Sequence, residues 1–191
     1  MVNLDAGFAG LTADVINQYA IGYHSGNLDR EDFNENVRDG INALFKMSHL
    51  IFFVPILQTI MKLLPLSVLQ KANPSAFALA DQKMGIHKQV SNALASKDAK
   101  DGSIIETLSH SLPEHLRNAE RLTNEMFALL IGGTETTARS LSVAIFHLLS
   151  NDQIRAKLRD ELRSVMPTAE SRPTWNQLEQ LPYMVALSHA S

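Results

Sequence analysis

The chain has 191 residues, 45% of them hydrophobic, a formal charge of −3 and no cysteine. Length and apolar content suffice for one ordinary core, disulfides are excluded, and so weak a charge gives no electrostatic reason to expect nucleic acid or a strongly acidic ligand. No basic-then-apolar leader opens the sequence, since Asp5 and Asp14 interrupt its start, and it contains no internal repeat or low-complexity tract.

In chain order the pattern predicts helix after helix. The first spans about Ala6 to Ile21, with Phe8, Leu11, Val15 and Tyr19 on one stripe and Gly22 as a stop signal. A second follows Asp29, with Glu31 and Asp32 in the first turn, where the helix dipole favours acids, and with Phe33, Val37, Ile41 and Leu44 buried. Between Met47 and Leu69 lie the apolar runs Ile51-Phe52-Phe53-Val54-Pro55-Ile56-Leu57 and Leu63-Leu64-Pro65-Leu66. Two prolines and Lys62 interrupt them, so a spanning helix is not expected. Two readings stay open there: a loop and short helix buried on the core, or an amphipathic patch in a membrane surface, with Met61 and Lys62 near the headgroups.

A third long helix begins at Asn73-Pro74, cap then first-turn proline, and sends Phe77, Ala80, Met84 and Leu94 towards the core. Ser96 to Gly102 reads as a surface loop, and a short helix about Ile104 to Leu108 leads to Pro113. From Asn118 to Ser150 there is no proline, and apolar residues such as Leu122, Met126, Leu130, Leu141 and Phe146 recur near helical steps. Asn151 caps a following helix, about residues 152–166, which Pro167 ends, and Thr174 with Gln177 forms a capping box. No run alternates with period two, so the expected fold is mostly α.

The informative run is Gly132-Gly133-Thr134-Glu135-Thr136-Thr137, in the middle of the longest helix. Each glycine costs up to about 1 kcal/mol of helix stability relative to alanine. The glycines remove bulk, so a flat cofactor or small ligand can approach the backbone. Thr136 stands four residues after Gly132, where its hydroxyl can bond the Gly132 carbonyl and open a local kink. With Glu135 beside it, the run supplies space, a hydroxyl and an ionisable acid, the parts of a proton relay to a small bound molecule. The competing reading is a buried helix crossing, where glycine allows close packing and threonine hydroxyls back-bond.

This run resembles the oxygen-activating signature of the cytochrome P-450 monooxygenases, small-Gly-x-acid-Thr-Thr/Ser, at every position. Leu148-Leu149-Ser150-Asn151, the helix Ile154 to Leu162, and Thr174-Trp175 through Leu181-Pro182-Tyr183 resemble the segments that follow it in that family. The wording of Leu141 to His147 is most similar to filamentous-fungal, microsomal members. The resemblance implies the central helical part of a cytochrome P-450 domain over residues 1–191, incomplete at both ends. Lid helices would occupy about residues 29–96, the membrane-facing or buried loop about 47–69, and the oxygen-activating helix about 118–150.

It further implies Thr136 and Glu135 as catalytic residues, Gly132 and Gly133 beside haem and dioxygen, and Ala128 and Ile131 lining the substrate pocket. Haem b would be the cofactor of the complete protein, a small apolar molecule its substrate and an NADPH-cytochrome reductase its electron donor. The place of work would be the cytosolic face of the endoplasmic reticulum, although the chain without an anchor is expected in the cytosol. The family's haem cysteine and Glu-x-x-Arg are absent from this sequence, so no thiolate ligand and hence no oxygenase turnover by this chain alone are expected. Seven histidines show no zinc or di-iron spacing, so no metal ligand is expected, and His147 reads as a core or surface residue. The basic run Arg155, Lys157, Arg159 and Arg163 reads as a solvated helix face. A haem-free helical binding or regulatory protein is the alternative.

Overall fold

The computed structural model describes residues 3–54, 66–95 and 102–190. Residues 55–65 of the segment between Met47 and Leu69, and nearly all of the loop expected from Ser96 to Gly102, lie outside them. Among the described residues every regular element is helical, as expected. The chain divides into two compact units, Met1–Ala138 and Arg139–Ser191.

In the first unit, α1 (Leu4–Ile21) starts where Asn3 Oδ1 accepts the Ala6 N–H and stops at Gly22, whose φ of 68° is the left-handed conformation that glycine adopts without a Cβ clash. Its buried apolar residues are small, Ala6, Ala9, Gly10, Ala13 and Ala20, apart from Ile21 at the end, and Thr12, Asp14 and Asn17 are buried with them. The expected stripe lies elsewhere: Leu11, Val15 and Tyr19 are 39%, 58% and 65% exposed. Small side chains let α1 approach its neighbours closely, so the large apolar residues are turned outward.

The connection to α2 is held by one carboxylate. Asp14 Oδ1 accepts from Ser25 Oγ (2.6 Å), the Asn27 N–H (2.9 Å) and Asn27 Nδ2 (2.8 Å), and Oδ2 from the Leu28 N–H (3.0 Å). Burial pushes the Asp14 carboxyl up, but the bonds from Ser25, Asn27 and Leu28 together outweigh it and hold its pKa below the ordinary 3.8. Helix α2 (Glu35–Phe53) begins later than the sequence suggests. Phe33 and Asn34 take φ of 49° and 60°, which no α-helix contains, so Glu31 and Asp32 lie in the preceding turns and Glu35 occupies the first helical turn. Asn34 Nδ2 donates to Asn27 Oδ1 (2.8 Å), tying that bend to the Asp14 cluster. Val37 and Ile41 are buried as expected, and Leu44 is half-buried.

A short helix, α3 (Leu66–Ala72), closes the segment for which a loop and short helix is one reading, with Ser67, Val68, Gln70 and Lys71 exposed rather than buried, and precedes α4 (Pro74–Ala95). Asn73 caps α4 by accepting the Ala76 N–H (3.0 Å). Helices α2 and α4 meet at Gly40, where a Cβ would stand 2.5 Å from the Ser75 carbonyl oxygen. Further along α4 the core residues are Ile86 and Val90, whereas Met84 is 44% exposed. One hundred degrees per residue puts Met84 well round the helix from the Ile86 and Val90 face. Helix α5 (Ile104–Ser111) is capped by Ser103 and runs past the expected Leu108. After a 3₁₀ turn, Glu114–Leu116, Asn118 Oδ1 accepts the Arg121 N–H (3.1 Å) and starts α6 (Ala119–Ser150). Leu122, Met126 and Leu130 of α6 form one core with Ala13, Ala20 and Ile21 of α1, Ile86 and Val90 of α4, and Ile105 of α5.

In the second unit α7 (Asp152–Leu162) follows Asn151, whose Oδ1 accepts from the Gln153 and Ile154 N–H groups; it ends ahead of Pro167 in a turn through Val165. Helix α8 (Trp175–Glu179) begins where Gln177 Oε1 accepts the Thr174 N–H (2.8 Å). Helix α9 (Pro182–Ala190) has its first turn held by Glu161 of α7, whose two oxygens accept the Tyr183 and Met184 N–H groups at 2.9 and 2.8 Å. Glu161, which is interleaved with the basic run expected to be a solvated face, is thus a cap for another helix. Its neighbours fit that expectation, Arg155 pairing with Asp152 and Arg163 with Asp160 at the surface.

Candidate functional site

The Gly-Gly-Thr-Glu-Thr-Thr run sits within α6, and helical geometry distributes its members over three directions. Ala128, Gly132 and Thr136 are four residues apart, hence on one face, and all three are exposed. A Cβ at Gly132 would meet no atom within 4 Å. Thr136 Oγ1 donates to the Gly132 carbonyl oxygen at 2.6 Å, the back-bond expected from their spacing, and the helix continues unbroken through it. A short hydroxyl therefore stands beside an open patch of backbone with no bulk over it. Rotation about its C–O bond lets the hydroxyl hydrogen leave the carbonyl and serve another acceptor.

The second direction is inward. A Cβ on Gly133 would lie 2.7 Å from Ile16 Cδ1, so Gly133 lets α1 and α6 approach. Thr134 is 4% exposed, and its carbonyl accepts Thr12 Oγ1 of α1 at 3.1 Å. The two glycines thus have separate surroundings: Gly132 shares the open face of Thr136, and Gly133 lies in a helix crossing. The buried-crossing reading describes the Gly133 and Thr134 side of the helix, while the Gly132 and Thr136 side is open. Ile131 is half-buried.

The third direction brings Glu135 to a cation. Arg38 Nε of α2 lies 3.8 Å from Glu135 Oε1, and the same guanidinium pairs with Asp5 of α1. The three side chains are only 18–29% exposed, so the pairs are weakly screened. Sequence reasoning selected Glu135 and missed Arg38 and Asp5. Nothing in local spacing reveals them, because three helices must fold together before these charges meet. Among the described residues no cluster of His, Asp and Glu could hold a metal ion, and His147 is exposed with its ring edge-on to Phe146.

The family model described as cytochrome P-450 matches residues 2–189. The chain is similar to a cytochrome P-450 monooxygenase of Fusarium sporotrichioides, 37% identical over 99% of this chain and 37% of that protein. It is also 38% identical to a conidiogenone synthase of Penicillium rubens, over 96% of this chain and 37% of that protein. The solved haem domain of a cytochrome P-450 superposes with a TM-score of 0.70 at 15% identity, covering 98% of this chain and 39% of that one, a likeness of fold. The chain thus spans about 37% of the length of the curated relatives it matches.

Proposed function

This chain belongs to the cytochrome P-450 family, and from that premise we propose that it forms the oxygen-activating helix and part of the substrate pocket of a monooxygenase that inserts one oxygen atom from dioxygen into an apolar organic substrate. The residues fit one side of a flat cofactor. Gly132 leaves open space where any other residue would place a Cβ, and Ala128 and Thr136 flank it with small side chains. Haem, when bound, supplies the iron chemistry that activates dioxygen. Its thiolate ligand would come from residues beyond this sequence, which has no cysteine.

On this reading Thr136 positions a proton. Its hydroxyl rests on the Gly132 carbonyl, and release of that bond turns the hydrogen towards the open face. Glu135, next along the helix, exchanges protons with solvent and stays compensated by Arg38. Gly132, with Gly133 setting the seat of α6 on α1, keeps the approach clear, while Ala128 and Ile131 present apolar surface to substrate. The helices of residues 29–96 act as the lid. An NADPH-cytochrome reductase supplies electrons, and the complete protein works at the cytosolic face of the endoplasmic reticulum. The apolar runs between Met47 and Leu69, interrupted by Lys62, support contact of that segment with a membrane surface. Among the described residues no helix is long and apolar enough to cross a membrane. No feature of the matches favours a haem-free binding protein.

The observation that carries the reading is the Thr136–Gly132 bond on an open, small-residue face. In the complete enzyme Thr136→Ala should leave haem binding near normal while diverting reducing equivalents from product to hydrogen peroxide or water, on the order of tenfold or more in coupling. Thr136→Ser should retain much of the coupling. Product formed per NADPH consumed decides the matter: tight coupling in Thr136→Ala makes Thr136 a structural residue only.

A further inference from the structure

Behind the motif, on its inward side, a cavity of about 20 Å³ lies where α1, α2, α4 and α6 converge, its wall including Ala13, Val37, Arg38, Gln82 and Thr134. Two of these residues bring buried polar atoms without a protein partner, Thr134 Oγ1 and Gln82 Oε1. The rest of the motif's surroundings leave no other partner in view. Thr134 is 4% exposed, its carbonyl is taken by Thr12, and its hydroxyl is one of the few buried polar atoms of the described residues left over. Buried hydroxyls and carboxamides are seldom left so, because desolvation without a replacement bond is unfavourable.

A single water molecule needs roughly 10–15 Å³ of such space and two to four polar partners. This cavity meets the volume, and the orphan atoms of two residues in its wall are complementary through water. Gln82 Oε1 accepts one water hydrogen, and the Thr134 hydroxyl donates to the water oxygen. We propose that the cavity is a hydration site in which one buried water bridges Thr134 of the central helix to Gln82 of α4. The bridge gives a reason for threonine at a position where packing alone would be served by valine. It also joins α4 to α6 at a point where the two side chains make no direct bond. Arg38 lines the same cavity, so the water sits on the side of the ion pair that holds Glu135. The proposal does not depend on monooxygenase activity and would stand if that reading failed.

The test combines crystallography with unfolding of the complete protein. Diffraction to better than about 2 Å should show one spherical density peak within hydrogen-bond distance of Thr134 Oγ1 and Gln82 Oε1. Thr134→Val keeps the shape and deletes the hydroxyl, so the peak should vanish and the urea midpoint fall. In a dry cavity the same change removes an unpaired hydroxyl and the midpoint rises, a result that overturns the proposal. Gln82→Leu should also lower the midpoint, and the double variant should lose less than the sum of the two, since each removes a partner of the same water. Strictly additive losses, or featureless density in the unaltered protein, likewise overturn it. Should Thr134→Val not fold, the density and Gln82→Leu decide.

Discussion

Asp14 and Gly40 show how much rests on single side chains, or on the lack of one. Asp14 satisfies four donors of the segment after α1, and its pKa is lowered in the folded chain. A group lowered on folding contributes stability above its unfolded pKa and loses it as pH falls through the folded value. The difference in unfolding free energy, from urea titration, between the unaltered chain and Asp14→Asn should therefore be full at neutral pH, on the order of 2 kcal/mol for bonds to a charged acceptor, and shrink below about pH 4. A gap unchanged at pH 3 would assign the loss to shape rather than charge. Gly40 is limited by backbone, since its absent Cβ would stand 2.5 Å from the Ser75 oxygen. Gly40→Ala should cost about 1–3 kcal/mol in thermal or urea unfolding by forcing α2 from α4. A neutral effect would mean that the two helices slide apart freely.

Among the elements, helices α1, α4, α7 and α8 were legible because their end signals are local: Gly22, Asn73, Asn151 and Gln177 act within a few residues of themselves, and α6 was legible from its apolar period. The Thr136 back-bond was legible for the same reason. What escaped the sequence was decided by other elements. The start of α2 yields to the left-handed turn at Phe33 and Asn34, which the Asn27–Asn34 bond supports. Which side of α1 is buried depends on the neighbours that pack against it, and it is the alanines that are covered while Leu11, Val15 and Tyr19 stay exposed. Glu161 was read with its own helix, although both its oxygens serve α9. Glu161→Ala should therefore leave α7 formed and loosen the first turn of α9 by about 1 kcal/mol. Hydrogen exchange locates the effect: faster exchange at the Tyr183 and Met184 amides is expected, and a change confined to α7 would contradict the capping role.

For the molecule as a whole, the mostly helical fold and the family were readable from one motif and the segments after it, whereas the pairing of Asp5, Arg38 and Glu135 required the three-dimensional assembly. The outward stripe of α1 has a practical consequence for anyone handling this chain by itself. Leu11, Val15 and Tyr19 form a sticky ridge whose removal would disturb no core contact, because the packed side of the same helix is its alanine side. Val15→Glu with Tyr19→Lys sets an acid four residues before a base, an arrangement that favours the helix slightly. The pair should raise the protein concentration at which light scattering sets in, at the cost of no more than about 0.5 kcal/mol in unfolding free energy. Shelf life in solution, rather than foldedness, is what that ridge controls.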